Sequence, residues 1–493
     1  MPSKPTTKPA PDSTRRPVLL IYPGTGLDIK AVSVFLPLSV TFLAAALERA
    51  GFEPRILDLR IEKNRAKKLR EELARKPLYV GISAMTGRQL HGGLEAARLA
   101  RRFSPGTPLV WGGIHPSILP EETLQNPLVD LVVTGRGEEA AVEIARRIAL
   151  GEEEALRGRV IAAEPEKSGT VGPGASLEIP ANRQNYITPV VGAARGLAYV
   201  SSRGCPHRCT YCYNRAVNRS RWSGDSAGSV IEYLKNQARL GIEGVIFFDD
   251  NFFVSRERVR EIAAAIVELG LKLKIKADCR ADYLVEYDDD FLKLLKRAGF
   301  ELLYIGAESG SDRMLEMMRK DVTVAQMREA NRRLARVGIR PHYSFMAGLP
   351  GEEIEDMRAT MALMLRLKEE HPGAHLSPVK TYVPYPGTAL FDTAVATGFK
   401  APRSLEEWSR CNWGSRRRAW LDREKSRFVE KMTYVSLGLD TSSVELSGMD
   451  RNGFATWGFL KFAGLCRRRC RHPDLGRIPE MFLIRAARKL FAP

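Results

Sequence analysis

No cysteine stands in the first 204 of the 493 residues, and the whole chain has seven. So sparse and uneven a supply excludes the disulfide framework of a small secreted domain. Long apolar runs are scarce too. The longest, about residues 32–47, is broken by Pro37 and by polar residues, and is too short to cross a bilayer. The N-terminus, MPSKPTTKPAPDSTRRP, lacks the apolar core of a signal peptide, so a disordered lead-in over 1–16 and a cytoplasmic, reducing location are expected. An apolar fraction of 44% excludes a disordered chain and allows sizeable cores.

What is present in excess is positive charge. The net charge is +18, and residues 451–493 alone hold ten Lys and Arg against two Asp and Glu. A tail of that kind suits nucleic acid, an anionic membrane surface or an acidic substrate, or is a solvated basic face. Within it, 479–491 combine Met481, Phe482, Leu483 and Ile484 with Arg485, Arg488 and Lys489. That pattern fits an amphipathic helix, either in peripheral membrane contact or docked on the protein.

Two series of alternating strand and helix signals organise the chain. In the first, apolar β-type runs at Val18–Tyr22, Arg55–Leu57, Leu78–Ile82, Leu109–Trp111 and Leu131–Val133 are separated by helical patterns, as in a doubly wound, flavodoxin-like parallel sheet. Residues 151–195, rich in Gly, Pro and Ser, read as a linker. A second series has strands at Leu197–Ser201, Gly244–Phe248, Lys274–Ala277, Leu303–Gly306, His342–Met346 and Val379–Tyr382, which fits a partial (β/α)6 barrel. The fold class is therefore α/β, with domains at 17–150 and 196–400 and a small C-terminal region over 401–493.

Three of the seven cysteines fall within eight residues, Cys205-Pro206-His207-Arg208-Cys209-Thr210-Tyr211-Cys212, directly after the first strand of the second series. Their neighbours are Arg, His, Gly and Pro, which argues against thiols buried for packing. A structural zinc normally takes four ligands, and His207 inside the loop can hardly complete a tetrahedron with its neighbours. Three thiolates on an iron–sulfur cluster leave one iron open. This C-x3-C-x2-C loop, with Pro206 and the aromatic Tyr211, resembles that of the radical SAM enzymes. The resemblance implies a [4Fe–4S] cluster on Cys205, Cys209 and Cys212 whose fourth iron chelates S-adenosylmethionine (SAM). It also implies an electron donor such as flavodoxin or ferredoxin, and a 5′-deoxyadenosyl radical as the product of SAM cleavage.

By the same resemblance, segments at the strand ends meet SAM. Asp249 and Asp250 occupy the position of the family's amino-group segment, although its frequent Gly-Gly-Glu is missing and a helix N-cap is an equal reading. Glu308 and Ser309 would bond the ribose or methionine moiety, and Gly348, in Gly-Leu-Pro-Gly-Glu, would let backbone approach the adenine. Tyr385-Pro386-Gly387-Thr388 resembles a family turn.

In the first domain, three Gly-containing loops share one sheet edge and carry Ser83, Thr86, Gly112, Gly113, His115, Gly135 and Glu138. Glycine there allows close approach of a large ligand. The set resembles the cobalamin-binding domain of the B12-dependent radical SAM subfamily, and the resemblance covers about residues 17–390. Asp-x-His-x-x-Gly, which puts a His on cobalt in methionine-synthase-type proteins, does not occur. We therefore expect no histidine below cobalt, with His115 contacting the nucleotide tail or capping a helix.

The resemblance implies a C-methyltransferase acting on an unactivated carbon, with an oxidative cyclase or rearrangement enzyme of tetrapyrrole type as the alternative. An RNA methylthiotransferase would need a second cluster on N-terminal cysteines, so nucleic acid is not an expected partner. A non-enzymatic cobalamin sensor conflicts with the complete cysteine loop. The substrate classes left open are small molecules, lipids, tetrapyrroles and peptides, for a monomer or dimer. Cys279 reads as packing, Cys411 between Trp408 and Trp413 as facing substrate, and Cys466 and Cys470 as inert thiols on one helix face.

Overall fold

The computed structural model describes residues 16–25, 34–163, 183–411, 419–440, 454–472, 475–476 and 478. The expected N-terminal lead-in up to residue 15, Trp413 and the segment 479–491 lie outside the described residues.

The first sheet is built from β1 (Val18–Tyr22), β2 (Pro54–Asp58), β3 (Val80–Ser83), β4 (Leu109–Gly112), β5 (Leu131–Thr134) and β6 (Arg159–Ala162). Their order is β2-β1-β3-β4-β5-β6, with every pair parallel. Alternation along the strands decides which face each residue serves. Val18 and Leu20 of β1 join one apolar cluster, with Val40 and Leu47 of the helix Leu38–Arg49 and Ile144 of Glu138–Ala149. Leu19 and Ile21 join the other, with Leu90, Leu94 and Ala97 of Arg88–Phe103. Both faces are covered, as a parallel sheet requires.

The second sheet comprises β7 (Thr188–Val190), β8 (Ala193–Tyr199), β11 (Gly244–Phe247), β12 (Lys274–Cys279), β13 (Phe300–Glu308), β14 (Arg340–Ala347) and β15 (His375–Leu376) in that spatial order, with β16 (Lys380–Thr381) also on β14. Between β8 and β11, β9 (Ser202–Gly204) and β10 (Trp222–Gly224) make a separate antiparallel pair. From β8 onward the large sheet is parallel and curls into a partial barrel, its helices packed outside.

Two details depart from the sequence expectations. β6 and β7 both fall within 151–195, read above as a linker; they are short edge strands whose few β-type residues are outweighed locally by Gly and Pro. The sixth barrel strand, expected at Val379–Tyr382, is divided into β15 and β16, both paired with β14.

The C-terminal region returns to both halves. The helix Leu405–Trp408 lies against Arg88–Phe103 of the first domain. There the Trp408 indole N–H donates to Glu122 at 2.6 Å, and Asn126 donates to Glu406 at 3.1 Å. Arg423–Ser436 packs Phe428, Val429 and Met432 into the barrel core, and Phe454–Cys470 packs beside it. Among the described residues no helix is long and apolar enough to cross a membrane.

Candidate functional site

The cysteine loop starts at the carboxyl end of β8 and is held there by two aspartates that follow β11. Asp249 is buried and accepts from the Ser201 N–H and hydroxyl, each at 2.8 Å, and from the Ser202 hydroxyl. Asp250 accepts from the Gly204 N–H at 2.7 Å. Burial pushes Asp249 up to about 6 against the pull of these donors. Asp249 is therefore turned inward onto the loop and presents no carboxylate to a ligand. Nor is it an N-cap; Ser255 caps the next helix, Arg256–Glu268.

All three loop cysteines are free and partly exposed. Asn251 donates to the Cys205 sulfur at 3.6 Å, and the Arg280 guanidinium lies 4.0 Å from the Cys209 sulfur. Donors aimed at sulfur suit thiolates that hold iron. His207 is directed instead at the Tyr283 hydroxyl, 2.6 Å away, and so is not a fourth ligand. Among the described residues no three His, Cys, Asp or Glu side chains converge on a single ion, as a zinc centre would need.

Tyr211 joins this loop to the end of β13. Its hydroxyl donates to Glu308 at 3.3 Å and accepts from the Lys320 ammonium at 3.2 Å, while Lys320 and Glu308 pair at 3.6 Å. Burial and the Glu308 carboxylate push the Tyr211 phenol far above its ordinary range. Glu308 sits at φ 65°, where the β13–β14 register shifts. A left-handed non-glycine residue is strained by about 1–2 kcal/mol, and such positions cluster at functional sites. Nothing in the sequence signals that strain, and Lys320, four residues before the helix Val324–Val337 begins, carries no motif.

Ser309 and Gly348 have their polar groups occupied. Ser309 is fully buried, its hydroxyl 3.3 Å from that of Thr360. Gly348, at φ 82°, donates its N–H to Glu352 and accepts from the Trp420 indole at 2.8 Å. Glu352 is buried and pushed up to about 7 by desolvation, with one oxygen unpartnered.

A cavity of about 570 Å³ opens between the carboxyl edge of the first sheet and the barrel mouth. Ser83, Gly112, Gly113, Gly135 and Glu138 line it from the first domain, and Val200, Arg203 and Phe248 from the barrel. Most of its wall is apolar. Gly113, at φ 98°, lies so close to Ala84 that an added Cβ would fall 2.8 Å from the Ala84 nitrogen. Glu138 does not wait free for a ligand; it pairs with Arg203, whose guanidinium also lies 4.0 Å above the Phe42 ring. A large apolar cradle with Gly at the sheet edge fits a macrocyclic cofactor with an extended tail.

Thr86 and His115 stand apart from that wall. The His115 Nδ1 lies 2.9 Å from the Thr86 hydroxyl, and the ring meets Trp408 edge-on at 5.7 Å. His115 is fully buried and pushed down to about 4, hence neutral. It is not the helix N-cap, which is Gly113. Sequence reading missed this because Trp408 approaches from nearly 300 residues away in the chain. Among the described residues, no histidine lines the cavity. In the reconstituted protein, the cob(II)alamin EPR spectrum is accordingly expected to lack nitrogen superhyperfine splitting from a lower axial ligand; resolved splitting would place a nitrogen on cobalt.

The other cysteines are packed or part-buried. Cys279 and Cys466 are buried in the barrel core, Cys470 donates to the Met361 carbonyl at 3.7 Å, and Cys411 borders the Trp408 cluster.

Residues 24–145 match the B12 binding domain and residues 199–364 the Radical SAM superfamily. An uncharacterised methyltransferase of Pyrococcus horikoshii is 26% identical over 89% of this chain and 95% of its own length. An anaerobic magnesium-protoporphyrin IX monomethyl ester cyclase of Cereibacter sphaeroides is 25% identical over 72% of this chain and 60% of its own. The radical SAM methyltransferase TsrM of Kitasatospora setae, solved with cobalamin and a [4Fe–4S] cluster, superimposes with a TM-score of 0.67 at 18% identity, covering 92% of this chain and 99% of TsrM. The chain thus carries a B12-binding domain directly before a radical SAM domain and is a radical SAM enzyme whose cofactors are SAM, a [4Fe–4S] cluster and cobalamin.

Proposed function

We propose that this enzyme is a methyltransferase that places a methyl group on an unactivated carbon of a small-molecule substrate. The observation behind this reading is the shared cavity wall, with Gly112 and Gly135 on one side and Val200, Arg203 and Phe248 on the other. A group held there has one face on the sheet edge and the other toward the barrel mouth. When bound, the cluster supplies the electron that cleaves SAM, and cobalamin supplies the methyl carrier.

The chain's own residues orient, hold and shield. Cys205, Cys209 and Cys212 take three irons, with Asn251 and Arg280 donating toward sulfur. Asp249 and Asp250 fix the loop from behind. Glu308, positioned by Tyr211 and Lys320, offers carboxylate oxygens to the SAM hydroxyls or ammonium. Residues 17–163 serve as the cobalamin-binding half and 183–400 as the radical-forming half.

The methyltransferase relative, alike over nearly its whole length, favours methyl transfer. The cyclase relative supports ring formation as the second reading. Counting products separates them. Methylation consumes two SAM per turnover and yields about one 5′-deoxyadenosine and one S-adenosylhomocysteine. Turnover that yields 5′-deoxyadenosine without S-adenosylhomocysteine would overturn methyl transfer.

A further inference from the structure

Alternate residues of β12 serve opposite sides of the barrel sheet. Ile275, Ala277 and Cys279 pack outward in the apolar core, so Lys276 and Asp278 face the lumen. The two lie about 7 Å apart along the strand. Both are enclosed by protein yet keep some accessible surface, as side chains lining an internal space do. No hydrogen bond or ion pair links either to another described residue. The Lys276 ammonium lies 5.6 Å from the centre of the Tyr304 ring. The Lys380 ammonium is 3.4 Å from the Tyr304 hydroxyl and close enough for Lys276 to feel its charge. His342 closes the set, edge-on to Tyr304 at 5.1 Å and 2.8 Å from the Ser377 hydroxyl.

Lys276 and Asp278 attract each other but share no hydrogen bond, and charges enclosed by protein without hydrogen-bond partners are expensive unless something completes them. Desolvation draws both groups toward neutrality, lowering Lys276 and raising Asp278 to about 7. The Asp278 carboxylate also senses Asp249 and Asp250 at the loop latch, so the set adjoins the radical-forming end of the barrel.

Resting on the radical SAM reading above, we propose that Lys276 and Lys380 hold an anionic group of the substrate, a carboxylate or a phosphonate, while Asp278 accepts from a donor beside it. The lumen then selects a small polar substrate and rejects one that is wholly hydrocarbon.

The test measures binding of acetate and of methylphosphonate to the cluster- and cobalamin-loaded enzyme by calorimetry, with reductive SAM cleavage assayed on the same sample. Saturable binding of at least one anion is expected, weakened about tenfold or more in Lys276→Met and in Lys380→Met. Asp278→Asn, which removes a like charge, is expected to tighten it. The tighter probe tells carboxylate from phosphonate. If the enzyme cleaves SAM but binds neither anion saturably, or if both lysine variants bind like wild type, the inference is overturned. Failure to cleave SAM at all would instead overturn the radical SAM reading. Lys380 is exposed, so its variant remains informative should Lys276→Met fold poorly.

Discussion

Glu308→Ala is expected to lower the stability of the protein by about 3–5 kcal/mol, because it leaves the Lys320 ammonium buried beside Tyr211 without its carboxylate. The loss should appear as a lower unfolding midpoint. The same change is expected to abolish most SAM-dependent 5′-deoxyadenosine formation, since the carboxylate is the polar group at the end of β13 nearest the cysteine loop. The two effects separate in the pair Glu308→Ala/Lys320→Met. Removing the second charge replaces an uncompensated ion with an apolar side chain of similar length, so most of the stability should return. SAM cleavage should not. Recovery of cleavage in the double variant would mean that Glu308 only stabilises the fold. Glu308→Gly adds a control on backbone strain: at φ 65°, glycine should be about 1 kcal/mol more stable than alanine while equally inactive.

Asp278→Asn is expected to make the protein more stable than wild type at pH 8 and much less so at pH 5. Asp278 is raised from an ordinary 3.8 to about 7, chiefly by burial. Between those values the folded protein holds a proton that the unfolded chain releases. The contribution of this group is thus fully present below about 4 and declines as pH rises to about 7. Asparagine has no proton to lose. Its advantage should grow by about 1.4 kcal/mol per pH unit across that window and then level off, giving on the order of 2 kcal/mol more at pH 8 than at pH 5. Glu352 is shifted the same way, and His115 and His342 are depressed, but these three are common to both proteins and cancel in the difference, whereas Asp249, which interacts with Asp278, adds a smaller coupled contribution. Denaturant unfolding at several pH values measures the effect. A difference independent of pH would show that Asp278 is not a desolvated carboxylate.

Much of the architecture was legible in the sequence because it rests on local periodicity. The strands of the first sheet are short runs of Val, Leu and Ile separated by helical patterns, as a parallel, doubly covered sheet requires, and the cysteine loop is legible through its resemblance to that of the radical SAM enzymes. Long-range pairings were not legible. Asp249 reads as a ligand or a cap until its partners, Ser201 and Ser202, are seen 48 and 47 residues earlier. Glu138 reads as a free carboxylate at a helix start until Arg203 comes from the next domain. His115 reads as a loop histidine until Trp408 covers it. In each case the motif was visible and its partner was not, since a partner brought in by tertiary folding leaves no periodic trace. The lumen pair of Lys276 and Asp278 hid differently, alternating with the apolar Ile275, Ala277 and Cys279 of the same strand.

The docking of Leu405–Trp408 on the first domain gives the molecule a second hinge pin. The chain comes back to that domain near residue 405, after completing the barrel. Trp408, Glu406 and their partners on the first domain therefore add a second set of contacts to the one that Arg203 and Glu138 make at the cavity wall. Separating the halves requires both sets to break together, so each holds the other at high effective concentration. A large cofactor enclosed between them would then enter and leave on the timescale of a joint opening, and a substrate small enough to pass through the barrel mouth need not wait for it.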